Sequence, residues 1–398
     1  MPWSQLSPMD QKMLFIADYN RRVFSVAELC RRYGISRKTG YKWIQRYAAE
    51  GPEGLRDHSR LPLTCPHETS PEQINALLEL RFRHPTWGAK KLLVVLQRRH
   101  PTWAWPARST TCDILHRYGL ILKRRRARRP GHPGRPLTPM IAPNEIWTAD
   151  SKGQFRTRDG QYCYPLTVAD GFSRYLLGCQ ALRHPSLAGT RSSFLRLFQE
   201  YGLPRIIRTD NGAPFATTAL ARLSQLSAWW IRLGVLPELI EPAHPEQNGR
   251  HERMHRTLKA ETAMPPAGSL PAQQRRFNTF RHEFNHDRPH EALNQRTPAS
   301  LYEPSPRPYP RRIPPVEYPP HFEVRLVSRN GGIRWNSRWV STSHALLEQY
   351  IGLEEVDTGI WDVYFGPIRL GQLHERTLRI EDALGRQYRK KVLPMYPD

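Results

Sequence analysis

The sequence predicts a multidomain protein: an α-helical N-terminus, a mixed α/β centre and a small all-β C-terminus. Three observations carry this. Through residue 120, apolar side chains recur at helical spacing behind serines placed as N-caps. Between 144 and 304, short apolar runs of strand length alternate with longer helical ones. From 321 to 398, apolar and polar residues alternate between turn residues, as in half-buried strands. Proline-rich or basic stretches separate these blocks. The expected organisation is a helical domain at 1–60, a second helical module at 70–120, a basic linker at 121–143, an α/β core at 144–304 and a small β-barrel at 321–398.

Charge narrows the function. Sixty Lys and Arg oppose 36 Asp and Glu, a formal net charge of +24. A chain this basic suits a polyanionic partner, most often nucleic acid. Five scattered cysteines without a CxxC pair argue against a disulfide framework. His282, His286 and His290 stand four apart but lack a Cys or carboxylate at ligand spacing. No apolar run approaches the ~20 residues of a membrane span, and the start lacks the layout of a secretory signal. The expected location is the cytoplasm, with no membrane partner.

The N-terminal block reads as a helix-turn-helix. Ser25 is placed to cap a helix carrying Val26, Leu29, Cys30 and Tyr33. Gly34 falls where the turn needs a positive φ. Ser36 caps a second helix that buries Tyr41 or Trp43 and offers Arg37, Lys38, Lys42 and Arg46 to DNA. Three further helices are expected between Ser70 and residue 120, as a second DNA-binding module or a helical spacer. Lys123, Arg124, Arg125 and Arg126 open a run of six basic residues in seven, suited to tracking phosphates.

The centre carries the chemistry. Ile146, Trp147 and Ala149 form a strand that ends at Asp150, and two more strands follow as a meander. A helix over 186–201 precedes a short strand from Arg205 to Asp210, where Asn211-Gly212 makes a sharp turn. After another helix and strand, a strong helix opens at Arg250 and carries Glu252. Asp170 reads as hairpin chemistry, and Glu238 and Glu241 as surface residues. The order of three antiparallel strands, then helix and strand in alternation, is RNase H-like. In such a fold Asp150 and Asp210 end adjacent strands and Glu252 approaches from a helix. Three carboxylates are hard ligands for two Mg²⁺ ions, with Mn²⁺ as a substitute.

Four segments in order, Trp147-TADSKG, Arg208-TDNGAPF, His244-PEQNGRHERMHRTLKAE and Phe284-NHDRPHEALNQRTPASLYEPS, resemble the insertion-sequence transposases of the retroviral-integrase-like superfamily, in particular bacterial members with an N-terminal helix-turn-helix. The resemblance covers nearly the whole chain. It implies a DDE site of Asp150, Asp210 and Glu252, metal-dependent nicking and strand transfer on DNA, contact with terminal repeats and target DNA, association with the bacterial nucleoid, and a homo-oligomer. Forty-one residues separate Asp210 from Glu252; the 35-residue spacing frequent in the integrase pattern lands instead on Glu246, in a loop. His255, Arg256 and Lys259 follow Glu252 along its helix, where they are expected to meet phosphates. A nuclease that cuts without joining and a regulator with an inert core are the rival readings.

Overall fold

A computed structural model describes residues 7–57, 68–121 and 137–382, apart from 152, 242–243, 245–246 and 248. The chain forms two compact units, Met1–Glu68 and Thr69–Asp398.

The first unit is helical. Helices α1 (Pro8–Asn20), α2 (Val26–Arg32) and α3 (Arg37–Glu50) start at Ser7, Ser25 and Ser36, whose side chains each accept a backbone N–H of the first turn. Phe15, Ile16, Leu29, Cys30, Trp43 and Leu55 make its core. Gly34 turns the chain between α2 and α3 at φ +62°. Gly40 lets α3 approach closely: a β-carbon there would lie 2.5 Å from Cys30 Sγ and 3.2 Å from the Phe15 ring. Of the two aromatic candidates Trp43 is buried, while Tyr41 is 53% exposed.

The second unit opens with α4 (Pro71–Arg83), α5 (Ala89–Arg99) and α6 (Arg108–Arg117), packed through Leu77, Leu80, Trp87, Leu92, Leu96 and Ile114. A mixed sheet follows, built from β1 (Ile146–Asp150), β2 (Phe155–Arg156), β3 (Tyr162–Asp170), β4 (Leu176–Leu182), β5 (Ile206–Thr209) and β6 (Leu236–Leu239). The main strand order is β4-β3-β1-β5-β6, with the short β2 also on β3. β1 runs antiparallel to β3 and parallel to β5, and β6 is parallel to β5. Helices α7 (Leu187–Tyr201) and α8 (Gln225–Arg232) bury one face, where Trp147, Ala149 and Ile207 meet Phe194, Phe198, Trp229 and Trp230. Helices α9 (Gly249–Thr262) and α10 (Leu270–His282) cover the other, with Met254, Leu258, Phe277 and Phe280 on Ala169, Leu176 and Cys179. Because strand side chains alternate, Thr148 and Asp150 share the face that α9 covers. A five-residue π-helical turn, Glu283–Asp287, continues α10. In it Asn285 bonds the Leu176 N–H at 2.8 Å and its carbonyl at 3.0 Å, tying the segment to β4.

The C-terminal region is all-β. Strands β7 (Glu323–Leu326), β10 (Tyr350–Asp357), β11 (Ile360–Phe365), β12 (Ile368–His374) and β13 (Arg379–Glu381) form one antiparallel sheet, and β8 (Gly332–Trp335) pairs with β9 (Arg338–Ser341) as a separate hairpin. A barrel is expected from the sequence; the strands form this sheet and hairpin over one core of Leu353, Val363, Phe365 and Leu373, which also takes in Ala228 and Ile231 of α8. The Arg329–Gly332 segment does turn tightly, with the Ser328 N–H on the Gly332 carbonyl, but β7 then pairs with β10. The β8–β9 hairpin turns instead at Asn336 and Ser337, both at positive φ, the backbone a two-residue hairpin loop needs. Among the described residues no helix is long and apolar enough to cross a membrane.

Candidate active site

The site stands at the carboxyl ends of β1 and β5, where parallel strands leave a crevice for ligands. The last registered pair is Ala149 with Thr209, so Asp150 and Asp210 are the next residue on each strand. Neighbouring strands lie about 4.8 Å apart, which sets the two acids side by side. Both are largely buried, at 4% and 8% exposure. The turn after β5 aims Asp210: its Oδ1 accepts the Gly212 N–H at 3.2 Å. Asn211 Nδ2 donates to the Ile240 carbonyl at 2.8 Å, fastening that turn to the segment after β6.

Helix α9 brings the third acid. Its inward stripe is His251, Met254, His255, Leu258 and Thr262, and Glu252 is exposed in the first turn beside it. His251 pins that turn to the sheet. Thr148 Oγ1 donates to the Ala169 carbonyl at 3.2 Å and shares a hydrogen bond with His251 Nδ1 at 2.9 Å. His251 Nε2 lies 2.6 Å from Thr167 Oγ1, a hydroxyl that donates to the Asp150 carbonyl at 3.2 Å and stands 2.5 Å from His255 Nε2. Burial, with His255 as the lesser cause, holds His251 well below the usual histidine range and keeps it neutral. His255 Nδ1 faces Asp150 Oδ2 at 3.7 Å. Among the described residues no three His, Cys, Asp or Glu side chains converge as a preassembled metal cluster.

The remaining sequence-selected residues divide clearly. His255 is buried, which corrects the expectation that it faces phosphates; it lies on the apolar stripe of α9 rather than beside it. Arg256 is exposed. Lys259 reaches over Gly153, three residues past Asp150, so closely that a β-carbon on that glycine would stand 2.5 Å from Nζ. In the first unit Arg37, Lys38 and Lys42 are exposed on α3 and Arg46 is half-buried; the Lys42 ammonium and Arg46 guanidinium lie 4.8 and 5.3 Å from the Trp43 ring centre. Lys123, Arg124, Arg125, Arg126 and the alternative acid Glu246 lie outside the described residues. Glu238 is no isolated surface charge: it takes Arg208 Nε at 2.5 Å and the Thr138 hydroxyl at 2.7 Å. Sequence reasoning missed His251, whose only signal is a polar residue on the inward stripe of an otherwise apolar helix face.

The fold and site define an integrase-core protein behind a helix-turn-helix. Family models agree in position: a helix-turn-helix domain at 11–62, a homeodomain-like domain at 39–115, and integrase core domains at 141–245 and 233–298. These matches place integrase core domains behind a helix-turn-helix, and the chain is similar in sequence to proteins of bacterial insertion elements. It is 27% identical over 186 residues to an insertion element IS407 protein of Burkholderia multivorans, covering 46% of this chain and 61% of that one. It is 29% identical over 186 residues to an insertion element IS476 protein of Xanthomonas euvesicatoria, covering 46% and 51%. The chain thus spans between half and two thirds of the length of these curated relatives. Among solved structures, the magnesium-complexed catalytic core of HTLV-2 integrase matches with a TM-score of 0.34 at 18% identity, over 41% of this chain and 99% of that one.

Proposed function

We propose that this chain is a DNA transposase that nicks the ends of a mobile element and joins them to target DNA, with Asp150, Asp210 and Glu252 as its DDE residues. The single observation that carries the reading is the register: two buried carboxylates end adjacent parallel strands, beneath a helix whose first turn holds a third. The donor set fits hard divalent cations, being all carboxylate oxygen with no thiolate. Two Mg²⁺ ions, or Mn²⁺ in their place, would be held by these three acids and supply positive charge for the attacking and leaving oxygens.

The chain's own residues do the positioning. The Gly212 amide orients Asp210, and the Thr148–His251–Thr167 hydrogen bonds fix the turn that bears Glu252. Glu252 is exposed in the first turn of α9. Arg256 and Lys259 follow it by four and seven residues on the same flank, placed to hold a DNA phosphate. The exposed α3 cations Arg37, Lys38 and Lys42, with Arg46 and the basic stretch from Lys123 to Arg126, supply sequence-end and backbone contacts. Two element ends must be joined in concert, so the active form is a homo-oligomer.

The test is a strand-transfer assay on labelled element-end DNA with Mg²⁺, Mn²⁺ or EDTA, comparing wild type with Glu252→Gln and Glu246→Gln. The reading expects joined products that require metal and vanish with Glu252→Gln alone. Loss with Glu246→Gln instead reassigns the third acid. Cleaved but unjoined products support a nuclease, and end binding with no metal-dependent chemistry supports a regulator.

A further inference from the structure

Beside α9, on the flank away from Glu252, lies a partly open cavity of about 90 Å³, with Arg250 and Arg253 at its exposed edge. About 10–15 Å³ of such space admits one water, so the cavity holds several, or one tetrahedral oxyanion. Its floor is apolar, from Ala169, Met254 and Phe284. Its walls carry five cations: Lys91 from α5, Arg174 from the β3–β4 turn, Arg250 and Arg253 from α9, and Arg288 beyond α10. Arg250 and Arg253 are spaced i, i+3 on one helix stripe.

The negative charge there is already committed. Asp170 accepts the Asn144 amide and both the amide and hydroxyl of Ser173, at 2.6–2.7 Å. Glu261 accepts Arg288 Nη1 at 2.7 Å and the Thr86 hydroxyl. Among the described residues, Arg288 is the one of the five with an ion-pair partner. The surplus shows elsewhere. Burial, then Arg288, lowers Lys91 to about 8. His290 lines the same cavity at 8% exposure, and its Nε2 has no hydrogen-bond partner among the described residues. His290 thus sets a buried, unpartnered ring nitrogen in a wall otherwise lined by cations.

We propose that this cavity is a phosphate-binding site, formed by Lys91, Arg174, Arg250, Arg253 and Arg288 with His290 at its base. A phosphate supplies the acceptors that guanidinium forks match. It also supplies an O–H for the His290 lone pair, or the negative charge that restores a proton to that ring. The source is a DNA backbone phosphate or phosphate in solution, and the first of these rests on the transposase reading.

The experiment uses the full chain. Thermal melting is followed in inorganic phosphate and in chloride at matched ionic strength, for wild type and for the Arg174→Gln/Arg253→Gln double variant. Affinity for an element-end duplex is then measured against salt. Phosphate should raise the melting temperature of wild type and leave the double variant unmoved. If the occupant is a strand phosphate, the variant's plot of log affinity against log salt is also shallower, by about 0.9 for each DNA phosphate no longer neutralised. If only the phosphate response disappears, the site takes phosphate from solution. Equal phosphate responses and equal slopes in both proteins overturn the proposal. Lys91→Met replaces the double variant should circular dichroism show that the latter is unfolded. Asp150→Asn keeps the phosphate response while losing that to Mn²⁺, so failure of the catalytic reading is seen separately.

Discussion

His255 Nδ1 lies 3.7 Å from Asp150 Oδ2, while its Nε2 is held 2.5 Å from Thr167 Oγ1. A side chain expected on the DNA face thus stands behind the first acid of the site. Its proposed role is to position that acid: it faces the carboxylate from the buried stripe of α9. His255→Phe keeps the ring shape and removes both nitrogens. Residues that orient metal-binding carboxylates typically change affinity or activity by about 10–100-fold. Strand transfer is expected to slow within that range, with a higher Mn²⁺ requirement and unchanged binding of element ends. A normal rate at limiting Mn²⁺ would reduce His255 to packing.

The Arg208–Glu238 pair gives a stability prediction. Arg208 is 5% exposed at its side chain, and its Nη2 also donates to the Thr138 carbonyl at 2.7 Å. Removing one partner of a buried pair typically costs about 3–5 kcal/mol, because the other charge stays behind, whereas an apolar replacement of both is often neutral. Glu238→Leu should lower the urea midpoint strongly, and Arg208→Leu/Glu238→Leu should recover most of it. Two additive losses would mean that the charges act separately.

Gly40 tests the first unit. Because a β-carbon there meets Cys30 Sγ at 2.5 Å, Gly40→Ala overpacks the α2–α3 contact, at about 1–3 kcal/mol. Element-end binding should weaken as this unit loses population, and adding Cys30→Ala should restore it. If Gly40→Ala alone binds as wild type does, the helices separate at little cost.

Acid should destabilise the chain through His290. Burial, then Lys91 and Arg288, lowers it to about 3, against roughly 6.5 in an unfolded chain. Below about 6.5 the unfolded state takes a proton that the folded state refuses. Stability from this group is therefore complete above about 6.5 and falls as pH drops toward about 3. Melting temperatures at pH 7.5 and 5 should fall further in wild type than in His290→Gln. Equal falls would place the acid sensitivity elsewhere.

The local signals were legible because they act over a few residues. Ser25, Ser36 and Ser70 cap the helices they were expected to cap, and Gly34 takes its positive φ. The helix-turn-helix, the mixed-sheet core and the all-β tail follow from periodicity, and the carboxylates stand out as polar endings to apolar strands. A side chain's partner is another matter, since it is fixed by residues distant in sequence. His251 and His255 belong to the inward stripe of α9 only because β1 and β3 present Thr148 and Thr167 there. Glu238 is drawn in by Arg208, thirty residues away, and β7 passes over its sequence neighbour to pair with β10. By itself the sequence determined which segments become helix or strand, where they end, and which acids and bases are available. The tertiary structure alone decided which of those charges meet, and set five cations and one imidazole, whose Nε2 has no hydrogen-bond partner among the described residues, around a single cavity, because burial and electrostatics depend on distance in space.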